Sequence, residues 1–129
     1  MRILSPTRYV GRVFGNGQCV ALVRQIAHLP HIWAWRQGDN VERLATAGKP
    51  PPIGTPIATF GSRGHYTNRL DGTSHAAIIA GYTQDSLGIY KGMRVLDQYV
   101  GCPARIHTIP FNHAGGRVIS NASNYSLIV

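Results

Sequence analysis

A chain of 129 residues has the length of one compact domain, and it can bury a core without a metal or several disulfides. Its 43% hydrophobic residues, 15 glycines and 8 prolines are typical of a loop-rich α+β protein and exclude a disordered chain. The net charge of +8 favours an anionic partner, but the cations form no cluster, so nucleic acid is not favoured. We expect a single domain over residues 1–129.

Two cysteines, Cys19 and Cys102, are too few for a disulfide scaffold or a structural zinc site. The N-terminal segment lacks the apolar core of a signal peptide, and no apolar stretch is long enough to span a membrane. We therefore expect a chain that is made in the cytoplasm without a signal peptide. Any export would need a route that does not cleave one.

The first predicted element is a helix that begins beside Cys19. Asn16 and Gly17 resemble an N-cap pair, and apolar residues recur at helical spacing over residues 18–27. Cys19 would then lie in the first turn, where the helix dipole and unpaired N–H groups stabilise a thiolate. The alternative is an inert buried cysteine, but a helix N-terminus is a poor place to bury one, so we favour a nucleophile.

A second, shorter helix is predicted over residues 41–47. Asp39 and Glu42 have the spacing of a capping box at its start, and Gly48 stands at its end. Residues 57–60 then indicate a strand, and residues 61–72 form a polar loop that contains Tyr66.

The strongest strand signals follow that loop. Residues 74–82 are almost continuously apolar, as a central strand would be, and His75 lies at their start. Residues 93–99 alternate, which places Val95, Asp97 and Tyr99 on one face. Weaker strands are predicted over residues 106–111 and 117–120, and Cys102 falls in a turn between strands.

These elements suggest a group of residues for thiol chemistry. Imidazole is the base that suits a thiol near neutral pH, and His75 has more support than the other five histidines. Asp97 is the carboxylate that could orient His75, with Gln98 as the alternative if the strand register differs by one residue. Gln18 could donate to an oxyanion together with the backbone N–H of Cys19.

Three segments resemble a known superfamily. Residues 16–20, Asn-Gly-Gln-Cys-Val, resemble the Gly-x-Gln-Cys helix start of CHAP amidases. Residues 52–60 are similar to the Pro-Gly-Asp-hydrophobic strand of NlpC/P60 proteins, although Thr55 replaces the acidic residue. Residues 74–79, Ser-His-Ala-Ala-Ile-Ile, are similar to their strand that carries histidine. The resemblance covers residues 13–100, in the order cysteine, strand, histidine, polar residue.

The resemblance implies an α+β, papain-like NlpC/P60 core, in which an N-terminal helix carrying Cys packs on an antiparallel sheet carrying His. It implies cleavage of amide bonds in peptidoglycan peptides, with no metal or cofactor. Cys19 would be the nucleophile, His75 the base, Asp97 the orienting group and Gln18 the oxyanion donor. Small amidases of this kind are similar to type VI secretion effectors, which implies export by a dedicated secretion system, action in the periplasm and an immunity protein as partner.

Two other classes of function stay open from the residues alone. One is a non-catalytic basic module that binds cell wall or nucleic acid, with Cys19 incidental. The other is a different thiol enzyme on the same fold, such as a transferase or a deamidase of protein glutamine. In every case we predict that Cys102 is not catalytic and is not bonded to Cys19, because it lacks a helix N-terminus to stabilise its thiolate.

Overall fold

A computed structural model describes residues 5–113 and 116–129 of the chain. The α-helices are α1 (Cys19–Ala27) and α2 (Val41–Thr46). The strands are β1 (Gln37–Asn40), β2 (Pro56–Thr59), β3 (Ala76–Gln84), β4 (Tyr90–Tyr99), β5 (Cys102–Pro110) and β6 (Tyr125–Ile128). Short 3-10 turns connect them at Pro6–Tyr9, Ile32–Ala34, Ser62–Gly64, Val118–Ser120 and Ala122–Asn124.

The strands form one six-stranded sheet in the order β1-β6-β2-β3-β4-β5, with every neighbouring pair antiparallel. Helix α1 packs on β3 and β4 on one face, and α2 packs on the other. Interior strand β3 thus has apolar side chains on both faces, which explains its nearly continuous apolar sequence. This is the predicted α+β arrangement of a cysteine-bearing helix on an antiparallel sheet.

Alternation along the strands divides the buried side chains between two cores. The core under α1 contains Leu22, Val23, Ala76, Ile78 and Leu96. The core under α2 contains Val41, Ala45, Ala77, Ile79 and Val95. Because side chains alternate along β4, Gln98 lies on the same face as Leu96, and Asp97 lies on the same face as Val95. Asp97 and Gln98 are therefore on opposite faces of the sheet.

Both predicted helix caps are wrong by one or two residues. The N-cap of α1 is Gln18, whereas Asn16 accepts a hydrogen bond from the Gln18 N–H in an Asx turn. The N-cap of α2 is Asn40, whose side chain accepts from the Arg43 N–H at 3.0 Å. Asp39 instead pairs with the Arg43 side chain at 2.6 Å.

Three other predictions of local structure need correction. Residues 117–120 contain a 3-10 turn, Val118–Ser120, rather than a strand. Cys102 is not in a turn but begins β5, where its partner on β4 is Tyr99. Strands β1 and β6 were not predicted, because each has only four residues and β1 has no apolar side chain.

In the described part of the chain, none of the helices has both the length and the apolar character needed to cross a membrane.

Candidate active site

The predicted nucleophile, Cys19, is the first residue of α1. Buried Gln98 fixes the segment in front of it to β4: its Nε2 donates to the carbonyls of Phe14 and Gln18, each at 2.8 Å. Its Oε1 accepts from the Phe14 N–H at 2.9 Å. Gln98, the alternative orienting residue, therefore holds the start of the helix, on the face opposite to Asp97.

His75 directly precedes β3, and Thr59 at the end of β2 holds its backbone. The His75 N–H donates to the Thr59 hydroxyl, and the Thr59 N–H donates to the His75 carbonyl, each at 3.0 Å. The Thr59 hydroxyl in turn donates to the Thr73 carbonyl at 2.9 Å. These bonds fix the backbone of a residue whose side chain must face the thiol.

Asp97 lies on β4 against two imidazoles. Its Oδ2 is 2.6 Å from His75 Nε2 and 2.8 Å from His107 Nε2. The β4–β5 register explains this, because Asp97 lies opposite Arg105 and His107 is two residues further along β5 on the same face. Oδ1 of Asp97 is buried without a hydrogen bond among the described residues, and Arg105 Nε is 3.6 Å from it.

The charge of Asp97 decides the tautomers of both imidazoles. Burial raises the pKa of this carboxyl, but hydrogen bonds from His107 and His75 outweigh burial and lower the pKa to about 2. Asp97 is therefore ionised at neutral pH and can only accept hydrogen bonds. Each histidine donates from Nε2, which leaves Nδ1 of His75 for the thiol.

Cys19 and His75 stabilise each other as an ion pair. Burial acts to raise the pKa of Cys19, but the imidazole of His75 and the backbone N–H of Ala76 together bring it below its usual range. Burial acts to lower the pKa of His75, but Asp97 and Cys19 raise it to about 9. The thiolate and the imidazolium thus stabilise each other, and a thiolate is the reactive form of a cysteine nucleophile.

Tyr66 adds a hydroxyl to this pair. Its oxygen is 3.9 Å from Cys19 Sγ, and its ring packs against Trp35 at a centroid distance of 5.1 Å. Burial and the neighbouring Cys19 raise the pKa of Tyr66 well above its usual value, so the hydroxyl keeps its proton. It can therefore donate to the thiolate.

A cavity of about 900 Å³ lies beside Cys19 and His75. Gln18, Cys19, His75 and Asp97, the four predicted site residues, all line it. Other lining residues come from the loop before His75, from the β4–β5 turn, from β5 and from the segment after β5, and they include Asn68, Leu70, Ser74, Val100, Thr108 and Ile119. A peptide of several residues fits a cavity of this size.

Sequence reasoning missed three residues that act on the site: Thr59, Tyr66 and His107. Thr59 reaches it through hydrogen bonds to the His75 backbone and His107 through the β4–β5 register, so no local pattern identifies them. Tyr66 had a weak signal, since it lies in the polar loop that precedes the histidine strand. Cys102 and Cys19 are both free thiols, in agreement with the prediction that they do not form a bond.

A metal centre has no support in the described residues. No group of three or more His, Cys, Asp or Glu side chains in residues 5–113 and 116–129 has the geometry to hold an ion.

Two comparisons find related proteins. Residues 1–128 match the family model described as domesticated amidase effector 2, Dae2. The solved structure titled "Type 6 secretion amidase effector 2 (Tae2)" is similar, with a TM-score of 0.74 and 28% sequence identity over 96% of this chain and 89% of that chain. No curated protein sequence matches the chain significantly. The structural match confirms the predicted papain-like fold.

Proposed function

The chain belongs to the domesticated amidase effector 2 family, and we propose that it hydrolyses amide bonds in peptidoglycan peptides with Cys19 as the nucleophile. The amidase effector predicted from the sequence agrees with the family and with the structural relative. Membership of an amidase effector family supports peptidoglycan as the substrate. The observation that carries the cysteine mechanism is the geometry of His75, with its Nε2 2.6 Å from ionised Asp97 and its other nitrogen available to Cys19.

The reaction begins with attack of the Cys19 thiolate on the amide carbonyl. The C–S bond forms as the carbonyl π electrons move to oxygen, which gives a tetrahedral oxyanion. The backbone N–H of Cys19 and the side-chain amide of Gln18 are the donors proposed for that oxygen. Donors at fixed positions stabilise the developing charge without reorganisation, so the rigid start of α1 is itself part of the catalytic apparatus.

His75 then completes the acylation step. Its Nδ1 proton passes to the amide nitrogen, the C–N bond breaks, and the amine leaves. Neutral His75 next takes a proton from a water molecule as its oxygen attacks the thioester. The C–S bond then breaks, which releases the carboxylic acid and the Cys19 thiolate, and the acid loses its proton to solvent. Asp97 stabilises the imidazolium in both half-reactions and keeps the ring in the tautomer that faces the thiol.

Trapping the acyl-enzyme tests this mechanism. A short peptide amide that resembles a stem peptide is mixed with excess enzyme, quenched in acid, and the protein is analysed by intact mass and peptide mapping. We expect the acyl mass on Cys19 and none on Cys102. The same mass on Cys102, or none on either thiol while the peptide is cleaved, would rule out Cys19 as the nucleophile.

The route of delivery and a protein partner complete the proposed role. We propose that the chain reaches the periplasm through a dedicated secretion system, as the type VI title of its structural relative suggests for that protein. An immunity protein is the partner such a route requires, to protect the producing cell. The NlpC/P60 and CHAP branch of the papain-like fold is supported by the motifs around Cys19 and His75.

A further inference from the structure

The cavity beside Cys19 carries more positive charge than its own carboxylate can neutralise. Three arginines line it, namely Arg69, Arg105 and Arg117. Asp97 is the one carboxylate among the described lining residues, and its Oδ2 already accepts from two histidines. A cavity with this balance attracts an anionic ligand.

The three arginines differ in how far their charges are satisfied. Arg69 pairs with Asp71 at 3.1 Å, so it is largely neutralised within its own loop. Arg105 lies 3.6 Å from Asp97 Oδ1, and its guanidinium is 5.4 Å from the centre of the Tyr99 ring. Arg117 forms no ion pair with any carboxylate in the described ranges. Arg117 is therefore the cation most available to a ligand.

The backbone holds Arg117 against the loop that leads into His75. Its side-chain stem lies against Gly72, where an added Cβ would come within 2.9 Å of the Arg117 Cδ. The Ile119 N–H donates to the Gly72 carbonyl at 3.3 Å, so the segment that carries Arg117 is attached to the loop that leads into His75. Glycine is required there, since Gly72 has a φ of +85°.

We propose that Arg117, assisted by Arg105, forms a subsite for a carboxylate of the peptide whose amide bond Cys19 attacks. The inference rests on the proposed function and adds the charge of the substrate to it. A guanidinium fits a carboxylate because two parallel N–H groups meet two oxygens. The partly enclosed cavity strengthens this contact relative to open solvent.

The test compares peptides that differ in one charge. In each pair, one carboxylate near the scissile bond is free in one peptide and converted to a carboxamide in the other. For one such position the wild type should have a kcat/KM about tenfold or more higher for the free carboxylate, the usual effect of a hydrogen bond to a charged group. Arg117→Gln should lose that preference. The control is Arg94→Gln, an exposed arginine on β4 outside the cavity, and it should keep the preference.

Binding separates this inference from the catalytic proposal. In the Cys19→Ala variant, calorimetry with the free-carboxylate peptide should show binding about tenfold weaker when Arg117→Gln is added. If the affinity and the preference are unchanged by Arg117→Gln, the subsite is wrong, whatever the activity. If the wild type binds with the expected preference but cleaves none of the peptides, the subsite stands and the proposed hydrolysis fails.

Discussion

At the scale of single residues, Asp97 contacts two imidazoles through one carboxylate oxygen. Oδ2 accepts from His75 at 2.6 Å and from His107 at 2.8 Å, in a position that is 1% exposed. This buried charge helps to raise the pKa of His75 to about 9. His107 donates to the same oxygen and also lines the cavity, so its connection to His75 is through Asp97.

The pH dependence of kcat/KM should report the His75 proton. Since the pKa of His75 is raised to about 9, the imidazolium is present below that pH and is lost above it. The rate should therefore fall as the pH rises through about 9, with the acid limb set by the lowered pKa of Cys19. Asp97→Asn removes the stabilising charge, so the alkaline limb should move down by about one pH unit or more.

Asp97→Asn should also cost less activity than loss of Cys19, because a histidine without its orienting group can still accept a proton. The measurement is the initial rate with one peptide substrate between about pH 5 and about pH 11. This range extends about two units below neutral pH and about two units above the expected alkaline limb. An alkaline limb that does not move in Asp97→Asn would show that Asp97 does not control His75.

Tyr66 should stabilise the thiolate through its hydroxyl alone. Tyr66→Phe keeps the ring that packs on Trp35 but removes the donor 3.9 Å from Cys19 Sγ, so the pKa of Cys19 should rise. The measurement is the rate of alkylation by iodoacetamide as a function of pH, with labelling mapped to Cys19. Cys102→Ser serves as the control background, and an unchanged Cys19 titration would remove Tyr66 from the site.

At the scale of elements, the site depends on how α1 and β4 are joined. Gln98 makes three hydrogen bonds from a fully buried position to the segment that ends at Cys19, including one to Gln18 at 2.8 Å. These bonds determine where the first turn of α1 stands relative to the imidazole. Two adjacent residues of β4 thus have different partners: Gln98 bonds to the segment before α1, and Asp97 contacts His75.

Gln98→Ala should destabilise the fold by about 3 kcal/mol, because it leaves buried backbone groups of Phe14 and Gln18 without partners. It should lower kcat/KM yet keep the alkaline limb near pH 9, since the His75–Asp97 contact is retained. Urea unfolding gives the stability. Gln84→Ala is the control, because its one bond, to the Gly88 carbonyl, is exposed, and it should cost about 0.5 kcal/mol or less. Equal losses for the two variants would contradict this role.

Local sequence patterns predicted the elements that are long and apolar, and they failed where tertiary pairing decides. Helical spacing located α1, and the apolar run located β3. Strand β1, Gln-Gly-Asp-Asn, exists because β6 pairs with it, and nothing in those four residues favours a strand. Cys19 and His75 stand out in the sequence because they lie at the start of a helix and just before a strand, whereas the place of His107 depends on a β4–β5 register that the sequence does not specify.

At the scale of the whole molecule, the net charge of +8 and the arginines of the cavity act in the same direction. Peptidoglycan carries carboxylates, so a basic protein concentrates on it by long-range attraction. A single domain over residues 1–129 remains a prediction from the length of the chain.

Turnover of insoluble peptidoglycan should therefore fall steeply with added salt. The Debye length shrinks from about 30 Å at 0.01 M to about 8 Å at 0.15 M, which screens the general attraction. A short peptide with its carboxylates amidated is the control, and its cleavage rate should change little. The comparison is made by counting released amino groups at each salt concentration. Equal salt dependence for polymer and amidated peptide would mean that the net charge does not guide the enzyme to its substrate.

The central claim is that the Cys19 thiolate hydrolyses an amide bond of peptidoglycan. Purified peptidoglycan is incubated with the wild type, with Cys19→Ala and with His75→Ala, all verified as folded by circular dichroism, and the muropeptides are identified by mass spectrometry. We predict one new amine and carboxylate pair with the wild type and none with either variant, since the two residues act as a unit. Near wild-type release by folded Cys19→Ala would contradict the account.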